Sequence, residues 1–332
     1  MDAPATAQRP IRSSLGVAVL GVAGWLLAFV QVLILFAALE AERHPALGGV
    51  DAALGIPVAF PSLGLFAFIA AVGVTRLGGT GFARWFSIVS VVVIAAGAVY
   101  LGWAMIAGFS GLSLLQFLFA IGALALAISW LRAPAAPAVP VATRRWILGG
   151  FLVLVGALGF LAAISLAVDK VLAIIAPGTA LSCDFSLVVQ CGANLSSPQG
   201  SAFGFPNPLI GLGGFLAPFV VGLAVLSGAR LSRWLWLTFN LGLAGALAFV
   251  IWLMSQSIFV LGTLCPWCML VWAVTIPAFW LVTFRSFADG YLGSAPRRVA
   301  EALYSFTPFI TIASYIVVAI VAQVRLDVIS YL

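Results

Sequence analysis

The sequence predicts an all-α, polytopic membrane protein of about nine transmembrane helices, built as tandem four-helix units plus one C-terminal helix. Three observations predict it. Hydrophobic residues make up 64% of 332 residues and charged residues only 7%, against roughly 25% charged in soluble domains. Mainly apolar runs of bilayer length recur along the whole chain. The basic residues fall largely in alternate connecting segments. A water-soluble protein is excluded, because so few charges cannot cover so much apolar surface.

The expected spans are 14–39, 57–75, 86–107, 112–131, 146–175, 207–227, 235–258, 264–284 and 302–324. The first has an apolar core too long for a cleaved leader and no small-residue cleavage site after it. With the N-terminus inside, 12 of the 15 basic residues lie on the cytoplasmic side, leaving Arg43, Lys170 and Arg325 outside. This is the sense that anionic lipid and membrane potential favour. It places the segment around Cys183 and Cys191, and the Cys265 end of its helix, on the oxidising side. The net charge of +6 is scattered along the chain, with no basic patch between stacking aromatics, so a nucleic-acid surface is not expected.

Pro134, Pro137 and Pro140 among alanines mark 132–143 as a stiff, extended cytoplasmic linker. It separates a cysteine-free unit, 1–131, from a second unit, 144–285; residues 286–332 add the last helix. The units look related. At a shift of 149 residues, Gly55 and Pro57 fall on Gly204 and Pro206, Leu63, Gly64 and Phe66 on Leu212, Gly213 and Phe215, and Trp103 and Met105 on Trp252 and Met254. Gly21, Gly24 and Trp25 match Gly156, Gly159 and Phe160 at a shift of 135. The second unit therefore carries 14 extra residues in its first outer loop, where Cys183 and Cys191 lie. Gln116 and Phe119 stand in the first unit where the second has Cys265 and Cys268. The second unit reads as the reactor and the first as scaffold or docking surface.

All four cysteines lie in the second unit. In Leu264-Cys265-Pro266-Trp267-Cys268, a Cys-x-x-Cys pair spans one helical turn, so both sulfurs face one side. Pro266 suits a first turn, where its missing N–H costs nothing. The free N–H groups of that turn favour a thiolate, at Cys265 above all. Such a pair can form a disulfide, exchange it or bind metal. Zinc wants four ligands; Cys183-x7-Cys191 is not a tight knuckle and the sole histidine, His44, is in the other unit, so no metal is expected. Purely structural disulfides in a non-catalytic assembly or binding component form the alternative of a different class. Transport is a further one, but the spans hold no run of charges marking an ion path.

Exchange explains the arrangement better. The Cys183/Cys191 loop takes electrons from a soluble partner and passes them to the helix-borne pair, which at the edge of hydrocarbon needs a lipid-soluble acceptor such as a quinone. Asn207, between Pro206 and Pro208, reads equally as a helix cap or as a hydrogen bond to a quinone carbonyl. Trp272, one turn beyond Cys268, flanks the same cavity or simply packs. Asp169 and Lys170 read as an interfacial ion pair or snorkelling charges.

Cys183-x7-Cys191, then Ser197, then Phe-Gly-Phe-Pro-Asn-Pro-Leu-Ile-Gly at 203–211, then Cys265-Pro-Trp-Cys268 resembles the vitamin K epoxide reductase family in its bacterial form, over about Arg145 to Arg285. The resemblance implies a four-helix bundle in a bacterial cytoplasmic membrane, with a quinone pocket (menaquinone or ubiquinone) near the outer face. It implies that Cys265 and Cys268 are the quinone-proximal pair, Cys268 facing the quinone and Cys265 exchanging with the loop. Cys183 and Cys191 become the shuttle pair, with Cys183, furthest from the bundle, meeting the partner. Ser197 matches a serine or threonine beside the pocket, and Asn207 the asparagine that bonds a quinone oxygen. Trp272 stands where vertebrate members carry tyrosine. Relatives often carry a fused thioredoxin-like domain; with only about eight residues after the last helix, the reductant is expected to be a separate thioredoxin-like protein outside the membrane. The other disulfide-generating quinone reductases place the Cys-x-x-Cys pair first in the chain, the reverse of the order here.

Overall fold

A segment surrounded by lipid must satisfy its own backbone, and a helix does so within a single segment. The computed structural model describes residues 5–41, 50–51, 56–107, 110–132, 143–293 and 297–331; Arg43, His44, Gly55 and the linker core 133–142 lie outside these. Among the described residues, nine helices are long and apolar enough to cross a membrane: Ile11–Glu40, Ala59–Leu77, Arg84–Ile106, Gly111–Arg132, Arg145–Ile175, Pro208–Leu226, Arg233–Leu261, Pro266–Ala288 and Thr307–Leu326. The protein is an all-α, multi-pass membrane protein.

In chain order the helices are α1 (Ala5–Glu40), α2 (Ala59–Leu77), α3 (Arg84–Ala107), α4 (Gly111–Arg132), α5 (Thr143–Ile175), the short α6 (Gly192–Ser196), α7 (Pro208–Gly214), α8 (Leu216–Leu226), α9 (Arg233–Ser255), α10 (Pro266–Ala288), α11 (Arg297–Ser305) and α12 (Thr307–Leu326). The sixth span is interrupted at Phe215, three residues before Pro218, whose ring cannot sit against an unbroken preceding turn. The seventh continues past α9 as a π-helical turn, Gln256–Leu261, ended by Gly262 in the left-handed region (φ 70°).

By compactness the chain divides into two units that do not follow the sequence halves. The first is Met1–Ala157 with Ile210–Ser232; the second is Leu158–Leu209 with Arg233–Leu332. In the first, α1 packs on α2 and α4, α3 on α4, and α2 on α8. Small residues set these distances, since without a water-driven force membrane helices associate by close packing. A Cβ on Gly21 would lie 2.3 Å from the Ala70 backbone nitrogen, and one on Gly156 would lie 2.6 Å from that of Phe219. Gly21 and Gly156 are the matched glycines of the sequence repeat, and Ala70 and Phe219 are matched by the 149-residue shift. The same helix contact is thus made twice with the same small residue.

The second unit holds the rest of α5, α9 to α12 and the segment after α5. Pro277 interrupts α10, depriving the Ala273 carbonyl of its helical donor. Tyr315 of α12 donates its hydroxyl to that carbonyl at 2.5 Å. The ninth span is thereby fastened to α10 at a defined height, through a bond the sequence did not announce.

Replacing Gly21 or Gly156 by leucine must part helices that touch through their backbones. We expect a cost of about 1–3 kcal/mol for each, typical of overpacking, seen as a lowered midpoint of thermal unfolding followed by tryptophan fluorescence in detergent. An unshifted midpoint would contradict the packing described.

Candidate functional site

α10 begins immediately after Cys265. That residue has extended backbone (φ −93°, ψ 122°) and occupies the N-cap, Pro266 takes the first turn, and the Cys265 sulfur accepts the Cys268 N–H at 3.4 Å. A sulfur here receives one of the four orphan amides of a helix start.

The segment between α5 and α6 is held against this helix start by backbone pairing. Val189 forms a parallel bridge with Leu264. The Gln190 N–H donates to the Leu264 carbonyl at 3.0 Å, and the Leu264 N–H to the Val188 carbonyl at 2.7 Å. Because Val189 is clipped to Leu264, Cys191 is delivered beside Cys265. Asn194 strengthens the clip: its amide donates to Thr263 Oγ1 at 2.9 Å and its carbonyl oxygen accepts from Ser257.

Asp184 gives the loop its shape. Its carboxylate accepts the N–H groups of Leu181 (3.1 Å), Cys191 (2.8 Å) and Gly192 (3.2 Å). Partial burial pushes this carboxyl up, but the three backbone donors together outweigh it and hold the carboxyl below its ordinary range.

Cys183 and Cys191 are joined in a disulfide, while Cys265 and Cys268 are free. The Cys265 sulfur lies 2.8 Å from that of Cys191. The sulfurs of Cys183, Cys191 and Cys265 all lie within 4.8 Å of one another. They share a buried cluster with Leu166, Leu181 and Leu195. A free thiol against one sulfur of a disulfide is the arrangement from which exchange proceeds.

Cys183 is not the outlying sulfur the sequence suggested. It is 2% exposed and Cys191 0%, because the loop folds back onto α5 instead of standing away from it. The Cys183 sulfur lies 3.4 Å from Asp169 Oδ2, and Ser182 Oγ donates to the same oxygen at 2.8 Å. Asp169 is therefore buried and engaged with the loop. Lys170 donates to the Leu195 carbonyl at 2.8 Å.

Cys268, one turn into α10, is half-buried against an apolar cluster that includes Leu264, Trp272 and Ile276, with Met269 beside it. Trp272 is 6% exposed and is a wall of this cluster. Ser197 caps the 3₁₀ turn Pro198–Ser201: its hydroxyl accepts the Gly200 N–H at 3.1 Å and donates to the Asn194 carbonyl at 2.8 Å. Asn207 ties the same segment together, accepting the Ala202 N–H at 3.0 Å and donating from Nδ2 to the Gln199 carbonyl at 2.7 Å. It acts neither as a plain helix cap nor as an unengaged amide.

Asp184, Asn194 and Ser182 escaped the sequence reading, and Asp169 was read as an interfacial charge. Only Asp169 carried a usable signal, since an acid inside an apolar span generally has a specific partner.

These features form a buried sulfur cluster, made of a loop disulfide clipped to a helix-capping thiol. The model of the Vitamin K epoxide reductase family matches residues 150–283, a likeness that supports a membrane disulfide and quinone redox role in general. Comparison with curated proteins and with solved structures gives no match.

The depressed carboxyl of Asp184 stabilises the loop fully above the ordinary aspartate value of about 3.9 and loses that contribution as pH falls through its lower folded value. Asp184→Ala should therefore make the Cys183–Cys191 bond more quickly reducible by dithiothreitol at neutral pH. A reduction rate equal to that of the unaltered chain would remove Asp184 from this role.

Proposed function

We propose that the protein oxidises a thioredoxin-like dithiol partner and passes the electrons through its two cysteine pairs to a membrane quinone. The observation that carries this reading is the 2.8 Å approach of Cys265 to a Cys191 already bonded to Cys183. One sulfur stands between two possible bonding partners, so electrons pass between the pairs by exchange alone.

A partner thiolate attacks the loop disulfide at Cys183, since Cys191 is enclosed on the Cys265 side. A second partner thiol releases Cys183, leaving both loop cysteines reduced and the partner oxidised. Cys191 then attacks Cys265 of an oxidised Cys265–Cys268 pair, freeing Cys268 with the electron pair, and Cys183 closes on Cys191 to free Cys265. The loop ends oxidised and the helix pair reduced, which is the bonding pattern observed. The burial of Cys183 requires the loop to open for the partner, and such gating steps commonly set turnover.

The residues around Cys268 suit a lipid-soluble ring. Cys268 packs against an apolar cluster that includes Leu264, Trp272 and Ile276. Asn207 keeps one Nδ2 hydrogen beyond the bond to Gln199, the group we assign to a ring oxygen. Ser197 holds the turn that presents it. Menaquinone or ubiquinone supplies the electron sink of the reaction. We place the cysteines on the extracytoplasmic face of a bacterial cytoplasmic membrane, with the N-terminus inside, from the distribution of arginine.

The purified chain should reduce a short-chain quinone in the presence of a reduced thioredoxin-like protein, as followed by quinone absorbance. Cys183→Ala and Cys191→Ala should each abolish the coupled reaction, and Cys191→Ala mixed with oxidised partner should accumulate a partner-linked species, formed as the Cys183 thiolate attacks the partner disulfide and frees one partner thiol, visible on a non-reducing gel. Full-rate oxidation of the partner by either variant would eliminate the shuttle. An inert Cys183–Cys191 bond throughout turnover would favour a structural disulfide in an assembly component.

A further inference from the structure

We propose that Asp169 is the proton acceptor of the loop pair, its Oδ2 taking the proton of the Cys183 thiol as that sulfur closes on Cys191. The inference rests on the relay described above and assigns to it a residue outside the four cysteines.

Asp169 sits near the end of α5 and is 2% exposed. A buried carboxylate in an apolar setting is costly unless it is hydrogen-bonded. This one is aimed at the reacting sulfur. Oδ2 accepts from Ser182 Oγ at 2.8 Å and lies 3.4 Å from Cys183 Sγ. While Cys183 is in the disulfide its sulfur has no hydrogen, so that approach is a contact only. Once the loop is reduced, the same two atoms are placed to form an S–H to carboxylate hydrogen bond. Ser182 is exposed and accepts the Trp267 indole N–H at 3.3 Å. A polar chain therefore runs from the Cys-x-x-Cys turn through Ser182 to Asp169, and its middle member is exposed.

The neighbouring charged groups have other tasks. The Asp184 carboxylate is occupied by three backbone N–H groups. Lys170 points its ammonium at the Leu195 carbonyl. Asp169 lies within hydrogen-bonding distance of the Cys183 sulfur.

The step balances. It begins with Cys191 bonded to Cys265, Cys183 as a thiol and Asp169 as a carboxylate. The proton moves from Cys183 Sγ to Asp169 Oδ2. The Cys183 electron pair forms the Cys183–Cys191 bond, and the Cys191–Cys265 bond breaks with its pair on Cys265. One negative charge moves from Asp169 to Cys265, where the Cys268 N–H receives it. Ser182 gives the proton a route outward.

Asp169→Asn keeps shape and an acceptor for Ser182 but is a far weaker base. In the full-length protein, pair-to-pair exchange is timed by oxidising the reduced chain with one equivalent of diamide and following the new disulfide by mass-shift alkylation from pH 6 to 8.5. Coupled turnover with reduced thioredoxin and a short-chain ubiquinone is measured in parallel. We expect Asp169→Asn to slow exchange about 10- to 100-fold at pH 6.5, within the usual range for a lost general base. The gap should shrink to about threefold at pH 8.5, as solvent base takes over the proton. Asp169→Glu should retain most of the rate at pH 6.5, and it serves as the deciding variant should the asparagine form not fold. A ratio constant across pH would reveal a merely structural residue and overturn the inference, as would unchanged rates or a glutamate form as slow as the asparagine one. If the unaltered protein exchanges disulfides but reduces no quinone, the quinone reading fails while the role of Asp169 is still judged on the exchange rates.

Discussion

The site depends on a short backbone clip. Two hydrogen bonds join Val188 and Gln190 to Leu264, and the approach of Cys191 to Cys265 follows from them. Cys191 comes immediately after Gln190 and Cys265 immediately after Leu264, so pairing the two preceding residues sets the two sulfurs side by side. A loop tethered only by its disulfide would leave Cys191 to search for Cys265. Here the ordering entropy of that search, roughly 1–2 kcal/mol for each residue fixed, is met by folding rather than at each exchange. The parallel sense of the bridge also carries both chains onward together, one into α6 and the other into α10.

Two aspartates near the loop show how different surroundings give one side chain two tasks. Asp184 faces backbone donors and shapes a turn, and its carboxyl is held low for that reason. Asp169 faces a serine hydroxyl and a sulfur atom. The first shapes the loop around Cys183 and Cys191. In the proposed relay the second meets a group that gains and loses a proton with each cycle. Separating the two tasks allows the loop to keep its fold while its chemistry turns over.

The spans were legible in the sequence because bilayer thickness leaves an apolar run little freedom. Cys265-Pro266-Trp267-Cys268 was legible as a helix start because proline and cysteine both have physical reasons to be there. The approach of Cys191 to Cys265 was not, because the clip that makes it uses main-chain atoms, which every residue carries. Asn194 was missed for a similar reason: its partners Thr263 and Ser257 are more than sixty residues away and share no periodicity with it. The burial of Cys183 was misjudged because a Gly- and Ser-containing stretch reads as open, whereas Asp184 gathers its amides into a compact turn. For Ser197 and Asn207 the sequence offered candidate roles beside a ligand, and the structure shows the hydrogen bonds each makes within residues 194–207.

The cysteine-free unit shows what the same position does without sulfur. Gln116 occupies the place of Cys265 in the repeat, and Gln31 falls on Leu166 at the 135-residue shift. Gln116 is 1% exposed and donates to Gln31 at 2.9 Å. Leu166 and Cys265 share one buried cluster, so both units bring together the first helix and this point of the fourth. The two amides satisfy each other and gain nothing by parting, since Gln116 would then be left unpaired in an apolar setting. A thiol in that position satisfies nothing permanently: it is apolar enough to be buried and can change its bonding partner. The glutamine pair therefore joins two helices, whereas the cysteine leaves a bond to be made and broken. The 14 additional loop residues belong with the second choice, because an exchangeable thiol is useful only when another sulfur is brought to it.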